Sequence, residues 1–283
     1  WQYDKVTAMR QPGSTFKLFV YTEAMNQGMT PNTRRQDSFK SYPDTVDGKP
    51  TRWTPHNADW YFSGANITLK SAFAMSVNSI AVGLGYECGI DKIAKTANAM
   101  GIESKLEAKP SLSLGSSDVN LLELTNAYCT PIAEGKSNMP IMVTKIVDRH
   151  GKVIYEAKLE AKQAIPYRSA FLMTKMLQGG MSGTSSRLRG FVGQGYSQAD
   201  WGGKTGTSNN HSDAWFIGVT PKLVFGCWVG GEDRDIHFGS MQFGQGARAD
   251  LPIFGKFMKK VYSNSSLGIS QVDKFDFPVG FTP

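Results

Sequence analysis

The runs ADWGGKTGTS (199–208), DAWFIGV (213–219) and KLVFGCWVGG (222–231) decide the fold. Each is short, rich in β-branched and aromatic residues and bounded by Gly, Asn, Asp or Pro, the pattern of a strand. The connections between them are too short for a crossover helix, so the three strands pair antiparallel. Upstream lie helical patterns: TFKLFVYTEAM (15–25), the two ends of ITLKSAFAMSVNSIAVGLGYE (67–87), DKIAKTANAM (91–100), LLELTNAYCTPIAEG (121–135) and YRSAFLMTKMLQGGM (167–181). Thr68 is placed to cap a helix start, and Gly89 and Gly101 to close helices. IMVTKIVDRHGKVIYEA (141–157) reads as a hairpin turning at Asp148-Arg149-His150-Gly151. LPIFGKFMKKVY (251–262) supplies a late helix, and the polar tail from Ser263 is expected at the periphery. Helices, then consecutive strands, then a helix describe an α+β domain rather than a doubly wound sheet. Residues 26–66, dense in Pro, Asn, Asp and Gly without helical period, are expected to be irregular.

The chain has 283 residues, 40% of them hydrophobic and 19% charged, which excludes a disordered or low-complexity protein. Its net charge of +7 suits polyanions, whether nucleic acid, phospholipid or anionic cell-wall polymer, without choosing among them. Cys88, Cys129 and Cys227 stand far apart and form no CxxC pair, so they read as buried small hydrophobes rather than a zinc site or disulfide framework. His56, His150, His211 and His237 have no ligand spacing, so no metal or cofactor is expected. There is no signal-like start and no run near the roughly 18 apolar residues of a membrane span; any export or anchoring segment would lie outside this chain.

Three constellations carry chemistry. In RQPGSTFK (10–17), Ser14 and Lys17 lie three apart at a helix start, on one face, where free backbone N–H groups favour a developing oxyanion. A lysine kept neutral by burial and neighbouring charge could take the serine proton; the alternative is a capping serine before an exposed lysine. In WGGKTGTS (201–208), Lys204, Thr205 and Thr207 can hold a carboxylate, and Gly206 lets a substrate backbone approach the strand as an added strand. A phosphate-loop reading fails, because Gln198 stands where the pattern needs glycine and strand follows instead of helix. In SVNS (76–79), Ser76 and Asn78 can relay a proton and hold an amide, although Ser-x-Asn also recurs at Ser208-Asn209-Asn210. The order of the three gives them weight: Ser/Lys helix, Ser/Asn turn, Lys-Thr-Gly strand.

RQPGSTFK, SVNS and KTGTS resemble the three active-site motifs of the penicillin-binding proteins, the serine DD-transpeptidases of peptidoglycan synthesis. PSLSLGSSDV (110–119), ELTNAY (123–128), MLQGGMSGTSSRL (176–188), SDAWFIGVTPKLVFGCWVG (212–230) and LPIFGKFM (251–258) are similar to the transpeptidase domain of the class A, bifunctional enzymes. The likeness runs from about Arg10 to Phe277. It implies a penicillin-binding-protein/β-lactamase-like fold, an antiparallel sheet flanked by helices with a helical subdomain. It further implies Ser14 as the acylated nucleophile, Lys17 as its base, and Ser76 and Asn78 as proton shuttle and peptide holder. Lys204, Thr205, Gly206 and Thr207 would bind the substrate carboxylate, with the N–H groups of Ser14 and Thr207 as oxyanion hole. D-Ala-D-Ala stem peptides and β-lactams are the implied ligands, nucleic acid is not, and other cell-wall synthesis proteins are possible partners. A carboxypeptidase side activity and a place on the extracytoplasmic, periplasmic face of a bacterial inner membrane also follow.

Thirteen residues precede Ser14, too few for the strand pair the family carries there, so residues 1–283 are expected to be a transpeptidase domain lacking its N-terminal strands. The glycosyltransferase domain and membrane anchor of class A enzymes are absent from it, and membrane contact would come only through that anchor. Cys129-Thr130-Pro131-Ile132 departs from the family's usual Ala-Asn without catalytic consequence. Two alternatives remain open: a serine β-lactamase, with Glu123 as the candidate deacylation base, and a non-catalytic β-lactam sensor. Trp53, Trp60, Tyr61 and Phe62 line the cleft wall or pack in core and loop, and Asp213 is expected to cap the turn before DAWF.

Overall fold

The computed structural model describes residues 3–192, 198–208, 210–240 and 244–281. At its centre, strands β9 (Gly202–Thr207), β10 (Asp213–Val219) and β11 (Val224–Gly230) form an antiparallel sheet in the order β11-β10-β9. Lys204 stands opposite Ile217 and Thr207 opposite Ala214. Every residue of β10 is buried, which explains a continuous apolar run where a half-exposed strand would alternate. Its side chains nevertheless divide by the strand period of two: Trp215, Ile217 and Val219 join the main helical core, and Phe216 packs on the opposite face with Phe254, Leu251 and Met258.

Helix α1 (Lys17–Asn26) runs through the main core, buried from Lys17 to Met25. A helix apolar on all sides belongs inside a domain, and α3 (Asn78–Cys88), α4 (Ile90–Ala99) and α7 (Tyr167–Gly180) wrap it. Two short helices, α5 (Leu121–Ala127) and α6 (Cys129–Ile132), lead through β5 (Lys136–Ser137) to the hairpin of β6 (Lys145–Val147) with β7 (Val153–Glu156). Strand β8 (Lys162–Gln163) returns to pair with β5, and after the single turn of α9 (Gly246–Ala249), α10 (Leu251–Tyr262) covers the far face of the sheet. Cys88 and Cys227 are buried, Cys129 is half-buried, and all three are free thiols. No helix among the described residues is long and apolar enough to cross a membrane.

Two expectations need correction. Residues 26–66 are not irregular: β1 (Arg34–Gln36) pairs with β4 (Asn66–Thr68), and β2 (Tyr42–Val46) with β3 (Lys49–Trp53). The second pair turns at Asp47-Gly48, φ +49° and +74°, a two-residue hairpin turn; its strands are too polar and exposed for hydrophobic alternation to reveal them. The 67–87 stretch is helical at its two ends, as expected: α2 (Leu69–Ala74) and α3 flank a break where Ser76 takes φ +59°. Thr68 does cap α2, accepting from Ser71 N. The tail is not merely peripheral either. Phe275 is buried in the main core, Phe277 and Phe281 pack on Phe171, and Lys274 pairs with Asp200 at 3.1 Å.

Candidate active site

Ser14 sits in a single 3-10 turn, Gly13–Phe16, that runs directly into α1. Thr15 fastens the turn, its N–H and hydroxyl both donating to the Pro12 carbonyl (3.2 and 2.7 Å). Gly13 has φ +52°, and a Cβ there would stand 2.5 Å from the Thr207 carbonyl oxygen; one on Gly206 would run into the Pro12 carbonyl and Thr15. Glycine at both places lets β9 lie directly against the Ser14 turn.

Lys17 follows one turn later, wholly buried. Its Nζ donates to the Ser76 carbonyl (2.7 Å) and to Asn78 Oδ1 (2.6 Å) and lies 3.2 Å from Ser76 Oγ. Lys204, also buried, reaches the same hydroxyl from β9, donating to Ser76 Oγ at 2.9 Å and to the Thr205 carbonyl at 3.0 Å. One serine hydroxyl therefore stands between two buried amines. Burial, reinforced by the positive charge of Lys204, holds the Lys17 pKa well below the ordinary lysine value, and burial pushes Lys204 down to about 7. The hydrogen bonds of Lys17 go to Ser76 and Asn78 rather than to Ser14, so spacing correctly placed both side chains on one face but not the lysine's partners.

The break between α2 and α3 is what presents Ser76. Asn57 Oδ1 accepts the N–H groups of Asn78 (2.9 Å) and Ser79 (3.1 Å), and Asn78 Nδ2 donates to the His56 carbonyl (2.8 Å). Asp37 in turn accepts from Asn57 Nδ2, Ser79 Oγ, Ser63 N and Ser63 Oγ at 2.7–2.9 Å. Burial raises this carboxyl's pKa, but those hydrogen bonds more than offset it and leave it below the usual aspartate value. Neither Asp37 nor Asn57 carried a motif in the sequence.

These elements face a cleft of about 600 Å³ lined by Ser14, Ser76, Asn78, Thr205, Gly206 and Thr207, with Trp53, Trp60, His211 and Thr184 on its walls. The sequence-predicted residues thus converge, Lys17 and Lys204 lying just beneath the floor. Of the four aromatics, Trp53 and Trp60 line the cleft, and Phe62 packs against Phe39. Thr184, on the loop after α7, also lines the cleft, although no motif in the sequence singles it out. Asn209, in the second Ser-x-Asn, lies outside the described residues. Among the described residues no group of three or more His, Cys, Asp or Glu could hold a metal ion.

The Asp213 reading is corrected, and the Glu123 alternative finds no support. Asp213 does not simply cap a turn; its buried carboxylate accepts from the Trp228 indole (3.0 Å) and Ser212 Oγ (2.8 Å), with the Arg10 guanidinium 3.9 Å away. Glu123 accepts the N–H groups of Glu103, Ser104 and Asn120 and the Ser104 hydroxyl, closing a capping box on α5. With its oxygens so occupied and no place in the cleft lining, it is a structural carboxylate.

Residues 1–258 match the family model for the penicillin binding protein transpeptidase domain. The chain belongs to that family. Penicillin-binding protein 2D of Bacillus subtilis (strain 168) is 34% identical over 233 residues, 81% of this chain and 33% of that protein. Penicillin-binding protein 1A of Neisseria meningitidis is 33% identical over 263 residues, 90% of this chain and 32% of that protein. The chain thus spans about a third of the length of these curated relatives. Among solved structures, penicillin-binding protein 1A from Haemophilus influenzae superposes with a TM-score of 0.85 at 25% identity, covering 98% of this chain and 45% of that one. PonA1 of Mycobacterium tuberculosis, in complex with penicillin V, gives 0.78 at 25% identity over 98% and 74%. The penicillin-binding-protein fold expected from the motifs is therefore the fold observed.

Proposed function

We propose that residues 1–283 form a serine DD-transpeptidase domain of class A type, cross-linking peptidoglycan stem peptides through an acyl-enzyme on Ser14. The observation that carries this is the Ser76 hydroxyl held between two buried lysines, 3.2 Å from Lys17 and 2.9 Å from Lys204, in the cleft that Ser14 lines. Three distant segments converge there for no packing reason, since burying two amines costs free energy.

The terminal carboxylate of a D-Ala-D-Ala peptide binds near Lys204, Thr205 and Thr207, with the peptide backbone along β9. Neutral Lys17 takes the Ser14 proton as Oγ attacks the penultimate carbonyl carbon. The N–H groups of Ser14 and Thr207 hold the resulting oxyanion, each such donor being worth about 10²–10³ in rate. The proton passes through Ser76 to the departing D-alanine amine, leaving an ester on Ser14. Asn78, fixed by Lys17 and the His56 carbonyl, holds the donor peptide. The amine of a second stem peptide then displaces the serine to form the cross-link, and water in its place gives carboxypeptidase turnover. A β-lactam acylates the same oxygen. Peptidoglycan chemistry places the domain on the extracytoplasmic side of a bacterial membrane, alongside other cell-wall synthesis proteins. The engagement of Glu123 by four donors weighs against a β-lactamase, which needs a base free to activate water.

The test is intact-protein mass after incubation with benzylpenicillin, on wild type and Ser14→Ala, followed over hours. A single long-lived adduct, missing from Ser14→Ala, is expected. Fast drug turnover without an adduct would make the protein a β-lactamase, and no adduct on folded protein would remove Ser14 from the role.

A further inference from the structure

Among the cleft hydroxyls to which the three motifs give no role is that of Thr184. Thr184 lies on the loop between α7 and the following helix, α8 (Leu188–Val192), and it is fixed from two sides. Its N–H donates to the Ala74 carbonyl at 3.1 Å, and Gly183 is pressed so closely to the same carbonyl that a Cβ would collide with it. Ala74 ends α2, two residues before Ser76. On the other side, Thr205 Oγ1 donates to Thr184 Oγ1 at 2.9 Å. Thr184 therefore joins the Ser76 turn to strand β9, and its side chain lines the cleft.

The direction of that hydrogen bond matters. A threonine hydroxyl has a single proton, and Thr205 directs its proton to Thr184. Thr205 thus turns lone pairs rather than a proton to the cleft, and its part in the carboxylate site runs through Thr184. Among the described residues the proton of Thr184 has no acceptor, so it is the donor this pair presents. Lys204 has two of its three possible N–H bonds committed, to Ser76 Oγ and the Thr205 carbonyl, and has at most one for a ligand.

We propose that Thr184 is a carboxylate-binding residue, with Thr205 acting through it: Thr205 donates to Thr184, and Thr184 donates to the terminal carboxylate of the peptide or the ring carboxylate of a β-lactam. Such a chain polarises both hydroxyls and strengthens the outer bond. This inference rests on the transpeptidase reading of the cleft and adds a residue that selects for the substrate's carboxylate.

The test compares second-order acylation rates of benzylpenicillin and of its methyl ester on wild type, Thr184→Val, Thr184→Ala and Thr184→Ser. The ratio of acid to ester rate does not depend on how much of a sample is folded. Thr184→Val and Thr184→Ala are expected to lower that ratio about ten- to a hundredfold, the scale of a hydrogen bond to a charged group, while Thr184→Ser keeps it near wild type. An unchanged ratio in Thr184→Val and Thr184→Ala, whatever the absolute rates, overturns the proposal and leaves Thr184 a structural tether. A wild type that acquires no adduct from either compound overturns the transpeptidase reading itself.

Discussion

Asp37 lies far from Ser14 in sequence, and the arrangement of the Ser76 turn depends on it. Replacing it with asparagine keeps its shape and removes one acceptor oxygen. One face of the carboxylate accepts from Asn57 Nδ2 and Ser79 Oγ, the other from Ser63 N and Ser63 Oγ. An asparagine NH2 group must face one pair. In either orientation one hydroxyl can reverse and accept, but one N–H is left opposed by another donor. The loss is one charge-assisted bond together with one unmet donor in a buried site, about 3 kcal/mol. That is a large share of the 5–15 kcal/mol that typically holds a domain folded. Asn57 carries the N–H groups of Asn78 and Ser79, so its displacement moves Asn78, and acylation should slow about ten- to a hundredfold. Because the folded-state pKa of Asp37 is depressed, its contribution is present above the unfolded value near 4 and is lost as pH falls through the folded one. Urea unfolding of wild type and Asp37→Asn at pH 7 and pH 3, with benzylpenicillin acylation rates, measures all of this. The gap between the two proteins should be wider at pH 7 than at pH 3. A variant within about 0.5 kcal/mol of wild type at pH 7 that acylates normally would refute the reasoning.

Other expectations concern pH and packing. Lys204, pushed down to about 7 by burial, loses its charge as pH rises past that value, so acylation by a carboxylate-bearing β-lactam should decline on the alkaline side; a rate still climbing at pH 9 contradicts this. Asp250 is wholly buried at the start of α10, and burial lifts its pKa to about 8. With a folded-state pKa raised above the unfolded one, its stabilising contribution is present below about pH 4 and disappears as pH rises through 8. Asp250→Asn, uncharged throughout, should gain relative to wild type between pH 5 and pH 9 in chemical unfolding, and an equal difference at both would count against it. Gly206→Val would drive β9 off the Ser14 turn through the Pro12 carbonyl and Thr15. Penicillin acylation should fall at least a hundredfold, and a near-normal rate would show that the turn can yield.

The sheet strands, the late helix, the hairpin at Asp148–Gly151 and the Thr68 cap were legible because each is a local pattern. Apolar period, turn chemistry and capping act within a few residues of chain. The β2–β3 pair and the returning tail were not, since polar exposed strands lack a buried face to impose alternation, and Phe275, Phe277 and Phe281 are scattered in a polar segment. Ser14, Lys17, Ser76, Asn78 and the Lys204–Thr207 strand could be named from motif order. Asp37, Asn57 and Thr184 could not, because they act through hydrogen bonds whose partners lie 20 or more residues away.

The sequence by itself determined the α+β class, the family and the residue types gathered in the cleft, all of which follow from patterns along the chain. Only the tertiary structure decided the partners: Lys17 bonded to Ser76 and Asn78, Glu123 consumed in a helix cap, Asp213 sharing a buried site with Trp228, and Thr184 taking the proton of Thr205. Hydrogen-bond direction and desolvation are set by distances of a few ångströms between segments that the chain order keeps apart, and both exist only once those segments have packed.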